Sequence, residues 1–517
     1  MKLVFKLLFI LSIKCTGFVH SASPPLILTP FIEENKIDDA RKLASVDPLL
    51  FLNVTSYSGF LTVNKVYKSN MFFWYFPVPD KPLDKTPWII WLQGGPGTTS
   101  LAGVFDEVGP FEYKKGSGLK MRKFSWWPEY SMVFIDNPVG TGFSHSKQID
   151  GLATNMDMYS TQLYSAVRQL VLLFPELRSS ELYVAGESYA GHYIPALANK
   201  AIQEMDDSTY GKAPFNLQGL IMSNPVLDRE GLTDFTTMFY NMGLLDRQGV
   251  IAVTPLQEQF TQAVRDGNSS AAAQLHTQLF KKLQVISSSV FENYDHLKDF
   301  MEYVALEKVR AALHVGDTKF VFTNMWVHAA LYDDFLTLMS PVMNNVLERY
   351  RVLIFCSQLG LTTPCAAAAE RRRIIWRWRG RDQFLHAPRT PWWHNESHAG
   401  FVKSGGGFTE VLLLDAGHFA PIDKPQQVQQ LVSYFIRGLD LPMPPNYQVD
   451  PANTPEYTVP DNQNVVPDLT RTDFRTGFIV SVFVNVVFVL GFLALALFAY
   501  WRRGEEFSHT PLFGGTF

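Results

Sequence analysis

The sequence predicts an α/β fold, a mostly parallel sheet flanked by helices and interrupted by one helical insertion. Three observations lead there. Short apolar and β-branched runs recur at residues 88–92, 131–136, 182–185, 217–222, 352–355 and 411–414. Between the second and third runs, Tyr159, Leu163, Val167, Leu170 and Phe174 recur at helical spacing. Strands that alternate with helices in this way pair in parallel. From about Arg229 to Ala330 the alternation stops and the pattern turns helical, which predicts an insertion above the sheet that serves as a lid.

The bulk composition suits one large core. Of 517 residues, 47% are hydrophobic and 18% charged, so the chain is not disordered by composition. A formal net charge of -4 gives no sign of a nucleic-acid partner.

The two ends read as targeting and anchoring segments. Lys2 and Lys6 precede an apolar run from Leu7 to Ile13, followed by small residues at Ser21 to Ser23. A basic flank, a short apolar stretch and small residues define a secretory signal, placed here at residues 1–21. At the other end, Gly477 to Trp501 carries no charge. At ~1.5 Å per residue it is long enough to cross a ~30 Å hydrocarbon layer. Arg502 and Arg503 follow, which puts the tail, 502–517, in the cytosol, although Arg471 and Arg475 precede the span. The expectation is a single-pass type I membrane protein of the secretory or endolysosomal route, with residues 22–440 luminal or extracellular. Residues 441–476, with seven prolines from Pro442 to Pro467, read as a stalk.

Behind a signal peptide, the sequons at Asn53, Asn268 and Asn395 become glycosylation sites. Cys356 and Cys365 are the cysteines left once a signal holding Cys15 is removed. They form a disulfide in an oxidising lumen or stay as two buried thiols.

Chemistry concentrates in three segments. Gly186-Glu187-Ser188-Tyr189-Ala190 sits between a predicted strand and a predicted helix. A sharp strand-to-helix turn of small residues lifts a serine oxygen clear of the sheet, so Ser188 is the candidate nucleophile. Gln93-Gly94-Gly95-Pro96-Gly97 directly follows another strand. Consecutive glycines can turn backbone amides toward a developing oxyanion. His418, in Ala416-Gly417-His418-Phe419, follows a late strand and comes after the serine in chain order, as a general base in this type of fold does. Such a site needs no cofactor and no metal, and none is expected.

Together with Asp136-Asn-Pro-Val-Gly-Thr-Gly-Phe-Ser144, these segments resemble the serine carboxypeptidase family of the α/β-hydrolase fold. The stretches Tyr57-Ser-Gly-Phe-Leu-Thr-Val-Asn64 and Met71-Phe-Phe-Trp-Tyr-Phe76 resemble its vitellogenic-like branch. The resemblance covers roughly Asp47 to Leu439. It implies an enzyme that releases C-terminal residues from peptides or proteins through a Ser188 acyl-enzyme, with His418 as base. It implies an oxyanion hole from the amides of Gly95 and Tyr189. It also implies a site for the substrate's terminal carboxylate at Glu187 and Glu107, with Gln93 and Gly94 of the glycine loop. Two close carboxyls cannot both ionise cheaply, so at acid pH one keeps a proton to donate.

One departure stands out. The family pattern puts an aspartate that orients the histidine shortly after the strand at 352–355, and here that position is Gly360. Asp415 and Asp382 are the carboxylates that a displaced loop could bring to His418. The Arg- and Trp-rich stretch from Glu370 to His398 is expected to be a solvated face. Two other functions share the scaffold: non-catalytic binding of peptide C-termini or a partner protein, and acyl transfer to an acceptor other than water.

Overall fold

The computed structural model describes residues 24–207, 214–227, 235–287, 295–363, 365–366, 368–445 and 447–448. The chain divides into two units, Met1–Tyr457 and Thr458–Phe517, and every described residue lies in the first. The predicted signal peptide, the span at 477–501 and the tail lie outside the described residues, as does most of the stalk. Among the described residues no helix is long and apolar enough to cross a membrane.

Twelve described strands run β1 Tyr57–Asn64, β2 Ser69–Phe76, β3 Trp88–Leu92, β4 Phe111–Lys114, β5 Gly118–Met121, β6 Ser131–Ile135, β7 Glu181–Glu187, β8 Asn216–Ser223, β9 Arg351–Ser357, β10 Arg389–His394, β11 Ser397–Gly405 and β12 Phe408–Leu413. Ten form one sheet in the order β1-β2-β6-β3-β7-β8-β9-β12-β11-β10, and β4 and β5 form a separate hairpin. The central block from β6 to β12 is parallel at every pairing. Antiparallel pairs close both edges. The six strands read from the sequence are the six of this block. The edge strands β1, β2, β10 and β11 add to them.

Side chains of a strand alternate between faces, and the core follows that rule. Trp88, Ile90 and Leu92 enter one apolar cluster, Ile89 and Trp91 the other. Helices α1 Met156–Leu173 and α2 Ala190–Asp206 cover the first face with Tyr159, Leu163, Val167, Tyr193 and Leu197. The Asn155 side chain caps α1 by accepting from Met158 N at 3.0 Å. A late helix, Pro425–Arg437, covers the second face through Val428, Leu431 and Val432.

Between β8 and β9 the described elements are helices. They include α3 Arg247–Arg265 and α4 Ser269–Ser287, which share an apolar core around Phe235, Phe260 and Leu279. The helical region does not end at Ala330: Tyr332–Phe335 and Ser340–Leu347 continue it to the edge of β9.

The region around and after the end of β9 decides one open alternative and overturns one expectation. Cys356 and Cys365 form a disulfide. The Arg- and Trp-rich stretch is not simply a solvated face. Arg372 is 2% exposed and donates to Glu410 Oε1 at 2.8 Å, Arg373 pairs with the same carboxylate, and Trp376 and Trp392 are fully buried. A buried carboxylate on β12 draws the guanidinium groups inward, because an unpaired buried charge of either sign is costly.

Candidate active site

The site lies at the carboxyl ends of the parallel strands. β7 ends at Glu187, and Ser188 turns the chain into α2 with a left-handed φ of 58°. A non-glycine residue holds that conformation only when its surroundings impose it. Here Ser188 N donates to Ser223 O at 3.0 Å, while Gly191 N and Val226 N both donate to Ser188 O. Glycine is required at two points packed around the turn. A Cβ on Gly186 would collide with Leu92 O, and one on Gly94 would sit 2.7 Å from both Ser188 Cβ and Tyr189 N. The glycine loop after β3 therefore lies directly against the turn that carries the serine. Gly95 adopts φ 115° in that loop, a conformation glycine tolerates.

A buried carboxylate braces the loop. Asp136 accepts from Thr99 Oγ1 at 2.6 Å, Ser100 N at 2.9 Å and Phe143 N at 2.8 Å. Burial raises its pKa to about 6. From the helical region, Asn324 N donates to Gly97 O at 2.9 Å. That region also reaches the turn itself: Asp334 accepts from the Tyr189 hydroxyl at 2.8 Å and the Tyr159 hydroxyl at 3.1 Å.

Next to Ser188, three polar side chains meet in an apolar setting. Gln93 Nε2 donates to Glu187 Oε1 at 2.6 Å, and the Trp91 indole donates to Gln93 Oε1 at 3.0 Å. Glu107 faces Glu187 within hydrogen-bonding reach. Both carboxyls are buried, and among the described residues both Glu107 oxygens and Glu187 Oε2 lack a partner N–H or hydroxyl. A proton held between the carboxyls satisfies these atoms. Burial, with the neighbouring carboxyl, raises Glu187 well above the usual range, and burial raises Glu107 to about 7.

His418 follows β12 and is 4% exposed. Burial lowers its pKa to about 4, and among the described residues no carboxylate opposes the shift. Among the described residues no hydrogen bond joins Ser188 Oγ directly to His418. The loop after β8 connects their backbones: Asn224 Nδ2 donates to His418 O at 2.7 Å, while Ser223 and Val226 hold Ser188. Asn224 also accepts from Ser357 N at 2.7 Å, which joins the end of β9 to the same point. On the ring, Nδ1 lies 3.4 Å from Thr363 Oγ1, which is buried and donates to Asn224 O at 3.0 Å.

Neither substitute carboxylate reaches the histidine. Asp415 is 73% exposed and pairs with Lys424 at 3.6 Å. Asp382 is 86% exposed beside Arg381. Gly360 is buried near Asn224 and Ser357. Asn53, Asn268 and Asn395 are all exposed. Asn224, Thr363 and Asp334 did not emerge from the sequence. The signal for Asn224 was its place in Ser223-Asn224-Pro225, just past a parallel strand, where sites of this architecture are built.

A serine on a strained strand-to-helix turn, a glycine loop pressed against it and a buried histidine define the serine hydrolases of the α/β-hydrolase fold. The serine carboxypeptidase family model matches residues 48–438. The chain is 35% identical over 432 residues to the venom serine carboxypeptidase of Apis mellifera, across 80% of this chain and 91% of that one. It is 33% identical to the probable serine carboxypeptidase CPVL of Homo sapiens, across 84% and 97%. It is 32% identical to the vitellogenic carboxypeptidase of Aedes aegypti, across 80% and 89%. The fold matches Kex1(delta)p, a prohormone-processing carboxypeptidase from Saccharomyces cerevisiae, with TM-score 0.66 at 19% identity over 77% of this chain and 96% of that one. The chain belongs to the serine carboxypeptidase family.

Proposed function

We propose that this protein removes C-terminal residues from peptides or proteins by acyl transfer through Ser188. The observation that carries the reading is the buried trio of Gln93, Glu107 and Glu187 beside the serine. A protonated carboxyl pair and an amide N–H suit a terminal carboxylate, and a fully ionised pair would repel it. This explains why cleavage would stop one residue from the end.

Ser188 Oγ bonds to the scissile carbonyl carbon while its proton passes to His418 Nε2. The carbonyl oxygen takes the negative charge and meets the Gly95 and Tyr189 amides. The C–N bond then breaks, and the leaving amine takes the proton from His418. Water attacks the acyl-enzyme by the same route in reverse roles and frees Ser188.

The signal, stalk and apolar span support a luminal or extracellular domain on one membrane anchor, with sugars at Asn53, Asn268 and Asn395, in the secretory or endolysosomal route. A second reading, capture of C-termini without turnover, draws on Gly360. Purified full-length chain and its Ser188→Ala variant, incubated with a peptide library at acid pH, separate the two. Stepwise loss of C-terminal residues that S188A lacks supports the enzyme. Peptide binding by both without trimming supports the alternative.

A further inference from the structure

We infer that Thr363 is the positioning residue for His418, a hydroxyl serving where the family pattern has a carboxylate; this rests on the reading of Ser188 and His418 as nucleophile and base. Among the described residues, Thr363 is the one side chain hydrogen-bonded to the His418 ring, with Oγ1 3.4 Å from Nδ1. A hydroxyl has one hydrogen and two lone pairs. The Thr363 hydrogen is committed to Asn224 O at 3.0 Å. A lone pair therefore faces Nδ1, and the contact is a hydrogen bond only if Nδ1 carries the proton. A neutral imidazole has a single N–H, so Nε2 is left as the acceptor. That is the tautomer a base toward Ser188 requires.

The hydroxyl is held, not loosely placed. Thr363 is buried, and the Cys356–Cys365 disulfide closes the segment that carries it onto the end of β9. Leu359 N donates to Ala416 O at 2.9 Å, which ties the same segment to the histidine loop. Asn224 accepts the Thr363 proton on its carbonyl and grips the His418 carbonyl with its amide, so one residue sets both ends of the contact. The hydroxyl orients the ring but stays neutral. It does not offset the imidazolium charge that forms when Ser188 attacks, so the arrangement gives a slower enzyme than a carboxylate would.

The test compares full-length parent, Ser188→Ala, Thr363→Val and Thr363→Ser in detergent. Two readouts are used: the rate of labelling by a fluorophosphonate and steady-state release of a C-terminal residue from a peptide. T363V keeps the shape and loses the hydroxyl. It is expected to label and turn over about 10-fold more slowly, roughly the worth of one neutral hydrogen bond, with KM little changed. T363S is expected to recover most of that loss. Thr363→Ala replaces T363V in the comparison if T363V does not fold. Parent-like rates in the variant without the hydroxyl overturn the inference, as does T363S as slow as T363V, which would assign the effect to packing. A parent that labels no faster than S188A overturns the nucleophile reading as well, whereas a reactive parent with an unaffected T363V overturns only the role of Thr363.

Discussion

Gln93 Nε2 donates to Glu187 Oε1 across 2.6 Å, and this one contact joins the glycine loop to the residue before the elbow serine. The amide has a fixed donor, and the carboxyl beside it is kept from ionising by burial and by Glu107. The glycine loop and the strand end are thus coupled through a group whose charge depends on pH.

That coupling predicts a window of activity. His418 must be neutral to act as base, so kcat/KM rises as pH passes about 4. Above about 7 Glu107 loses its proton and the pair gains a negative charge that repels a terminal carboxylate, so kcat/KM falls as pH passes about 7. The fall is expected in KM more than in kcat, since it is a loss of binding. Glu107→Gln keeps a donor at every pH and should flatten that limb. An alkaline limb that persists unchanged in E107Q would assign it to another group.

The same pair predicts a stability trend. Both folded-state pKa values are raised above the ~4.3 of a free glutamate, so between that value and neutrality the folded chain holds protons the unfolded chain has lost. Stability contributed by Glu107 is therefore present at low pH and lost as pH rises through about 7, while that from Glu187 persists to higher pH. Thermal midpoints of the parent should fall across this range more steeply than those of E107Q. Parallel curves for the two would refute the assignment.

Asp334 offers a test of how the helical region supports the elbow. It accepts from the Tyr189 and Tyr159 hydroxyls and lies 3.5 Å from His192 Nδ1. Asp334→Ala strands two buried hydroxyls, at ~1–3 kcal/mol each. The variant should unfold at lower temperature or denaturant and should slow labelling of Ser188, because Tyr189 carries the neighbouring amide. Asp334→Asn, which keeps one acceptor, should lose less. Equal stability of D334A and parent in denaturant melts would contradict this.

The parts of this site that were legible in sequence are those encoded locally. Ser188 needs Gly186 two residues earlier and a small residue two residues later, and the glycine loop needs its run of glycines, so a short motif states each. The parallel strands were legible because both faces are buried and the runs are apolar throughout. What was not legible depends on approach across the chain. Thr363 matters only because Asn224 and His418 close on it from β8 and β12. Arg372 looked solvated because its partner, Glu410, comes 38 residues later. Strand β10 was hidden in the same basic stretch and β11 at and beyond its end, where Arg389 over the Phe401 ring and the buried Trp392 replace the usual alternation.

The anchor can be checked independently of catalysis. Truncation before Gly477 should release protein from the secretory pathway into the medium, with endoglycosidase-sensitive sugar. Retention of the truncated chain in a detergent-requiring fraction would argue against residues 477–501 as the membrane span.

Gly360→Asp is expected to raise turnover and move the acid limb. A Cβ at this position would lie 3.4 Å from Asn224 Oδ1 and from Ser357 O, ordinary contact distances, so the backbone can accept a side chain. Asn224 Oδ1 already accepts from Ser357 N, and two acceptors repel, so the new carboxylate turns away from that oxygen. A carboxylate at Nδ1 stabilises the imidazolium, which raises kcat and lifts the His418 pKa from about 4. The gain is bounded by the ~10⁴ lost when a triad acid becomes an amide. Asp415→Asn and Asp382→Asn should change nothing, since both carboxylates face solvent. The decisive comparison is the double variant G360D/T363V. If the acid and the hydroxyl serve the same ring nitrogen, loss of the hydroxyl costs little once the acid is present, and the two effects are not additive. Additive effects, or a folded G360D with parent kcat and an unmoved acid limb, would show that position 360 does not reach His418.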